Sequence, residues 1–184
     1  PNVLIIMTDD QGYPEISAHG NPVLHTPNLD RLYQQSIRLS DYHVAPMCTP
    51  TRGQLLTGLD AARNGAVNVS SGRALLRPEV STIADFFGEA EYSTGVFGKW
   101  HLGDEAWYPE NQGYHENFGG CDYGQPPSFF DPYNNPKHKH PSIRAGIHKL
   151  PGRKKGEYLT HREADEAVKL IRQWKDQPFF IQVS

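Results

Sequence analysis

Three observations predict an α/β fold with a mostly parallel central sheet flanked by helices. Residues 3–8 (VLIIMT) form a continuous apolar run rich in β-branched side chains, which is typical of a strand covered on both faces. Helix-like and strand-like segments then alternate along the chain. Residues 178–183 (PFFIQV) predict a further strand. A chain of 184 residues fits one domain and buries roughly 70% of the surface that its unfolded form exposes.

The first half of the chain contains three predicted helices. Residues 26–37 begin with a threonine and a proline, and their apolar side chains recur at helical spacing. Pro50 opens a second helix, which Gly58 ends. Residues 81–87 begin a third helix with a serine or threonine cap. Between the first two helices, residues 39–44 are a strand candidate.

A long stretch with little periodicity follows the predicted strand at residues 93–97. It is rich in glycine, proline, asparagine, histidine and aromatic residues, and it is longer than an ordinary connection. We therefore predict a loop-rich insertion at about residues 103–159. Residues 163–174 then predict a helix, because their apolar side chains share one helical face. Since a strand at the chain end would leave a parallel sheet half built, we expect the rest of the sheet beyond Ser184.

Composition and charge exclude several classes of function. The formal net charge of -3 argues against a general nucleic-acid binder, and prolines and glycines dilute the basic residues at 137–140 and 153–155. No apolar run approaches the roughly 20 residues that a membrane-spanning helix needs. The two cysteines, Cys48 and Cys121, match no zinc-site spacing and suffice for one disulfide only.

Cys48 stands in an unusual sequence context. It begins the pattern C-x-P-x-R, which continues with Pro50 and Arg52. Because proline favours the first turn of a helix, residue 48 is expected at the positive end of the helix dipole, where an anion is stabilised. The Arg52 guanidinium can turn back toward the same point. These residues alone leave simpler interpretations of Cys48 open, namely a small buried side chain or a disulfide with Cys121.

Two further groups have functional potential. Asp9 and Asp10 follow the first strand, where α/β folds collect ligands, and their oxygens suit Ca²⁺ or Mg²⁺. A solvated turn or a helix cap is the simpler alternative for this pair. Lys99 and His101 alternate around Trp100, so in an extended segment both point to one side and can contact one tetrahedral anion. Exposed loop residues are the simpler alternative there.

Short motifs spread over nearly the whole chain resemble those of the type I sulfatases of the alkaline phosphatase superfamily, in the same order. They are residues 9–12 (DDQG), 26–32 (TPNLDRL), 48–52 (CTPTR), 92–103 (YSTGVFGKWHLG) and 178–180 (PFF). The resemblance implies an alkaline-phosphatase-like fold. It also implies that residues 1–184 are the N-terminal portion of the catalytic domain, truncated before the rest of the sheet and the C-terminal subdomain.

The resemblance further implies a nucleophile made after translation. In type I sulfatases a formylglycine-generating enzyme oxidises the cysteine of C-x-P-x-R to formylglycine, whose hydrated aldehyde attacks the sulfur of a sulfate ester. Cys48 is the matching residue here. The resemblance implies that Asp9, Asp10 and residue 48 bind a divalent cation. The expected ion is Ca²⁺, and Mg²⁺ is the alternative. Further metal ligands, an acid histidine and a second lysine are expected beyond Ser184.

The other matched residues receive catalytic roles from the same resemblance. Arg52 is implied to hold a deprotonated hydroxyl of formylglycine. Lys99 is implied to neutralise the charge of the sulfate, and His101 to form a hydrogen bond with the formylglycine hydroxyl. The expected catalytic set is therefore Cys48, Arg52, Lys99 and His101.

Residues 65–73 and the aromatic insertion look like those of bacterial carbohydrate sulfatases. A sulfated polysaccharide or small molecule is the expected substrate, because exposed aromatic rings stack on sugars. Asn68, Arg73 and His148 are the predicted substrate contacts. The sequence contains no signal peptide, and the resemblance implies a periplasmic, extracellular or lysosome-like location.

Two alternatives to a sulfatase stay open at this point. A phosphonate monoester hydrolase or phosphodiesterase would use the same nucleophile, because a tetrahedral phosphoryl group fits the same pocket. An anion-binding pseudo-enzyme would keep Cys48 as a thiol.

Overall fold

The computed structural model describes the whole chain except residues 71–72, 140–145 and 148. The described residues form two compact units. The larger unit contains Pro1–Met7 and Pro46–Ser184, and the smaller unit contains Thr8–Ala45.

The larger unit is built on a parallel sheet. Among the described residues the sheet has four strands in the order β1-β4-β2-β3, and every neighbouring pair is parallel. The strands are β1 Val3–Ile6, β2 Ser93–Phe97, β3 Glu116–Phe118 and β4 Phe179–Val183. Gly95 of β2 lies opposite Ile181 of β4 on one side and Glu116 of β3 on the other. The predicted α/β fold with a mostly parallel sheet is confirmed.

Helices flank this sheet, and one further helix lies in the smaller unit. In chain order they are α1 Pro27–Gln35, α2 Cys48–Thr57, α3 Ala61–Asn64, α4 Ile83–Glu89 and α5 Leu159–Gln173. Gly58 ends α2 in the left-handed conformation that glycine adopts without steric cost, as the sequence predicts. Within the described residues, none of the helices has the length and apolar character to span a membrane.

The core lies on both faces of the sheet. Phe180 packs in a cluster with Leu56 of α2 and Ala84 of α4, whereas the next residue, Ile181, packs in a second cluster with Leu170 of α5. Successive side chains of a strand point to opposite faces, so α2 and α4 cover one face and α5 covers the other. This arrangement brings the start of α2 close to the chain that leaves β2.

The helix α4 illustrates how local sequence sets an element boundary. Thr82 precedes the helix, and its hydroxyl accepts a hydrogen bond from the backbone N–H of Asp85. The Asp85 carboxylate accepts in return from the backbone N–H of Thr82, at 2.7 Å. This reciprocal pair is a capping box, and it confirms the predicted helix start.

The strand β1 differs from its prediction in burial. A continuous apolar run predicts burial on both faces, but Leu4 and Ile6 are 47% and 65% exposed, and only Val3 and Ile5 pack against the core. Within the described residues β1 pairs with β4 alone, so it is an edge strand with one covered face.

Two local predictions were wrong, and one strand was missed. Residues 39–44 form no strand, and the last predicted helix begins at Leu159 instead of residue 163. β3 was not predicted, because it contains only three residues with no alternation and exists through its pairing with β2. The loop-rich stretch therefore contributes a strand to the sheet, while its status as an insertion stays a prediction.

The smaller unit is organised around the start of α1. The Asp30 carboxylate accepts hydrogen bonds from the Ser17 hydroxyl at 2.7 Å, the Ala18 N–H at 2.9 Å and the Thr26 hydroxyl at 3.1 Å. These bonds, the one from Ser17 foremost, lower the pKa of Asp30. They join the turn at Ser17–His19 to the N-terminus of the helix.

Candidate active site

The N-terminus of α2 is the starting point of the site. Cys48 is the first residue of this helix, and Met47 before it is extended. Pro50 lies within the first turn, where its missing N–H has no consequence. The partial positive charge of the helix N-terminus therefore lies at residue 48, as predicted.

The two cysteines do not pair. Both are free; the Cys48 side chain is partly exposed, whereas Cys121 is buried. Burial raises the pKa of the Cys121 thiol to about 12, so this thiol stays protonated. The disulfide interpretation of Cys48 is thus not supported.

Three side chains of α2 contact the segment that follows β2. The Cys48 Sγ lies 3.3 Å from Nδ1 of His101. The Thr49 hydroxyl donates to the carbonyl of His101 at 2.9 Å, and Arg52 Nη1 donates to the carbonyl of Lys99 at 2.6 Å. The structure therefore places the side chains of Cys48 and His101 in contact and Arg52 on the backbone of Lys99. The catalytic roles of these four residues stay predictions.

The segment after β2 is a turn and not an extended strand. Gly98 and His101 both have positive φ, of 86° and 60°. A left-handed conformation costs a non-glycine residue about 1–2 kcal/mol, so the contacts of His101 with Thr49 and Cys48 must offset it. The turn aims the imidazole at Cys48, whereas an extended segment would have pointed Lys99 and His101 to the same side.

Burial makes the polar contacts of this site strong. Arg52 is 1% exposed and His101 is 7% exposed, while Lys99 is half-buried. A buried guanidinium favours a nearby negative charge, since interactions between charges strengthen where water is excluded. One turn before Arg52, residue 48 lies at the helix end that also favours an anion.

The predicted metal ligands are divided between the two units. Asp9 and Asp10 belong to the smaller unit and are exposed, and Asp10 has a positive φ of 56°. Their carboxylates are the donors that Ca²⁺ and Mg²⁺ prefer, but two residues do not complete a shell of six or more oxygens. Within the described part of the chain, no three His, Cys, Asp or Glu side chains cluster around one point. Joint coordination by Asp9, Asp10 and Cys48 stays a prediction.

The three predicted substrate contacts also stay predictions. The side-chain oxygen of Asn68 accepts hydrogen bonds from the N–H groups of Val69 and Ser70, at 2.7 and 3.3 Å, and so folds its own loop. Arg73 is exposed, and its carbonyl accepts from the Asn68 N–H at 3.1 Å. His148 lies outside the described residues.

Two buried polar residues near this end of the sheet were not predicted from the sequence. Thr49 is fully buried, but it occupies a variable position of C-x-P-x-R, so the motif gave no signal. Glu163 of α5 is 8% exposed, and burial raises the pKa of its carboxyl to about 8. The burial of Glu163 could have been predicted, because it lies four residues before Ala167 and seven before Leu170. This spacing places it on the same buried face of the helix.

A family model described as Sulfatase matches residues 1–184. The chain belongs to the sulfatase family. Human arylsulfatase A is 40% identical over 126 residues, and the match covers 65% of this chain and 25% of that relative. This sulfatase chain thus spans about a quarter of the length of its curated relative.

Solved structures support the same fold assignment. The crystal structure of Ps i-CgsB in complex with k-i-k-neocarrahexaose has a TM-score of 0.80 and 26% identity, with 99% of this chain and 44% of that chain covered. BT4656, in complex with its substrate D-glucosamine-2-N,6-O-disulfate, has a TM-score of 0.70 and 25% identity. The match covers 99% of this chain and 33% of that chain. The predicted alkaline-phosphatase-like fold is confirmed by such sulfatase neighbours.

Proposed function

We propose that this protein hydrolyses a sulfate ester of a carbohydrate, with formylglycine made from Cys48 as its nucleophile. The observation that carries the proposal is the contact of Cys48 with His101, at 3.3 Å, at the N-terminus of a helix whose Arg52 is buried. Membership of the sulfatase family supports the reaction class.

The Sγ atom of Cys48 stands in for one hydroxyl oxygen of the hydrated aldehyde. Formylglycine at this position supplies a geminal diol, with one hydroxyl for attack on sulfur and a second for release of sulfate. His101 Nδ1 lies within reach to hold one of these hydroxyls and its proton. The helix N-terminus and the Arg52 guanidinium stabilise negative charge at residue 48. We assign the charge of Lys99 to the sulfate group.

A divalent cation is part of the proposal. The expected ion is Ca²⁺, and Mg²⁺ is the alternative. Asp9 and Asp10 would hold it together with residue 48, because carboxylates are preferred ligands of both ions. The cation would supply positive charge next to the sulfate oxygens. The remaining oxygen ligands, the acid histidine and a second lysine are proposed to come from beyond Ser184.

A sulfated carbohydrate is the proposed substrate class. Two structural neighbours carry carbohydrate ligands, a neocarrahexaose and a glucosamine disulfate. We place Asn68, Arg73 and His148 on the substrate side. A formylglycine-generating enzyme is the proposed maturation partner, and the proposed location is periplasmic, extracellular or lysosome-like.

Mass spectrometry of the peptide that contains residue 48 tests the nucleophile. In full-length protein coexpressed with a formylglycine-generating enzyme, this peptide should carry an aldehyde in place of the thiol. Cys48→Ala should abolish turnover of nitrophenyl sulfate, whereas Cys121→Ala, a change at the other cysteine, should retain it. An intact thiol in active protein, or turnover by Cys48→Ala, would refute the proposal.

A substrate comparison separates the two enzymatic hypotheses. The sulfate ester and a phosphonate ester of the same nitrophenol differ only in the group transferred. We expect the higher kcat/KM for the sulfate ester. A preference for the phosphonate ester would instead support the phosphonate hydrolase. A Cys48 that stays a thiol after coexpression with the maturing enzyme, together with no turnover of either ester, would support the pseudo-enzyme.

A further inference from the structure

His101 is fixed by neighbours at four separate positions. Its backbone N–H donates to the carbonyl of Cys121 at 3.1 Å, and its carbonyl accepts from the Thr49 hydroxyl at 2.9 Å. Its ring nitrogen Nδ1 lies 3.3 Å from the Cys48 Sγ. Gly124 lies beside the ring, close enough that a Cβ atom built on it would overlap the imidazole. The first two contacts fix the backbone of His101, and Cys48 and Gly124 decide where the ring points.

Gly124 leaves no room for a side chain next to this ring. A Cβ atom at residue 124 would lie 2.6 Å from Cε1 of His101, 3.0 Å from Nε2 and 3.1 Å from Nδ1. These distances are shorter than the roughly 3.5–4.0 Å at which two non-bonded heavy atoms pack. Gly124 does not have a positive φ, so the backbone conformation itself does not require glycine here. The requirement is for space beside the imidazole.

We propose that Gly124 is a positioning residue for His101. Because it lacks a side chain, the Nδ1–Cε1–Nε2 side of the ring can lie against the backbone of residue 124 while Nδ1 faces residue 48. A methyl group there must rotate the ring about its χ angles or displace the loop that contains Cys121. Either movement changes the distance from Nδ1 to residue 48.

The ring has little freedom to avoid such a methyl group. His101 is 7% exposed, so nearly all of its surface already packs against protein and a rotated imidazole would meet neighbouring atoms. A displacement of the loop would also disturb His101, since the Cys121 carbonyl accepts the hydrogen bond from the His101 N–H. The orientation of His101 therefore depends on residue 124, which is far from it in sequence.

The consequence for catalysis rests on the proposed function, whereas the position of the ring does not. If His101 holds the hydroxyl at residue 48, Gly124→Ala should lower kcat about 100-fold. A displacement of a catalytic group by about 1 Å has an effect of this size. KM should change much less, because the proposed substrate contacts are other residues, namely Asn68, Arg73 and His148. A general loss of folded protein would lower the active fraction without altering the ring signals of the remaining folded molecules.

The test uses the full-length protein with ¹⁵N-labelled histidine. The ring ¹⁵N signals of His101, assigned by comparison with His101→Ala, report the environment of Nδ1 and Nε2. Gly88→Ala is the matched control, because a Cβ at Gly88 in α4 meets nothing closer than the Gly113 carbonyl oxygen at 4.0 Å. Gly124→Ala should shift the His101 ring signals and lower kcat, and Gly88→Ala should do neither.

A double-mutant cycle keeps the test decisive if Gly124→Ala folds poorly. Gly124→Ala should lower the thermal midpoint in the presence of His101, but not in the His101→Ala background, where the ring is absent. An equal loss in both backgrounds, unchanged ring signals, or an unchanged kcat despite shifted signals would overturn the proposal. Failure of the proposed function has a different signature, namely wild-type protein without turnover while the ring signals still respond to Gly124→Ala.

Discussion

Two buried polar residues of α2 hold the turn that carries the candidate catalytic histidine. Thr49 and Arg52, 0% and 1% exposed, donate hydrogen bonds to the carbonyls of His101 and Lys99. These carbonyls follow the end of β2 and lie outside the sheet, so the strand ladder does not satisfy them. Since a buried carbonyl needs a partner, the two side chains replace the missing backbone bonds. Residue 49 thus matters although the C-x-P-x-R pattern leaves it open.

Thr49→Val should destabilise the protein by about 1–3 kcal/mol, because valine matches the shape of threonine but leaves the His101 carbonyl without this donor. Urea unfolding at constant pH measures the change. Thr160→Val, at an exposed position of α5, is the control and should change the free energy of unfolding by less than about 0.5 kcal/mol. Equal stability of the two variants would show that the bond to His101 contributes nothing.

At the scale of elements, α5 carries a buried acid against the carboxyl ends of two strands. Glu163 shares a face with Ala167 and Leu170, which pack on the sheet. A Cβ at Gly98 or Gly119 would lie 3.1 or 3.0 Å from its carboxyl oxygens, so these glycines leave the space that the carboxyl fills. Burial raises the pKa of Glu163 from 4.5 to about 8. The carboxyl is therefore neutral in the folded protein at pH 7.

This raised pKa predicts how stability depends on pH. Between pH 4.5 and about 8, Glu163 is protonated when folded and ionised when unfolded, so unfolding releases a proton. Its contribution to the free energy of unfolding should fall by about 1.4 kcal/mol per pH unit across this window and level off above it. Unfolding curves from pH 5 to 9 measure the slope.

Glu163→Gln should flatten this slope, because glutamine stays neutral at every pH. The control is Glu89→Gln at an exposed position of α4, which should keep the wild-type pH dependence. A slope that persists in Glu163→Gln would mean that another group causes it.

At the scale of the whole molecule, the sequence was informative where a pattern is local. The strands β1, β2 and β4, the helices α1, α2 and α4, and most of α5 follow motifs or periodicity. The roles assigned to residues 48, 52, 99 and 101 stay predictions. β3 did not follow such a pattern, because three residues acquire strand geometry only by pairing with β2. Gly124 and Thr49 were also not predictable, since their roles arise from packing between segments distant in sequence.

Calcium binding is the property of the whole molecule that the metal proposal predicts. After treatment with a chelator, added Ca²⁺ should raise the thermal midpoint of unfolding. At a Ca²⁺ concentration of 100 times the Kd, the free energy of unfolding should rise by about 2.7 kcal/mol.

Asp10→Asn should abolish this response to Ca²⁺, because the amide lacks the charge that holds the ion. Asparagine tolerates the left-handed backbone of residue 10, so a lost response reflects metal binding and not backbone strain. Asp41→Asn, another exposed aspartate of the smaller unit, should respond to Ca²⁺ like the wild type. A calcium response that survives in Asp10→Asn would exclude this carboxylate from the metal site.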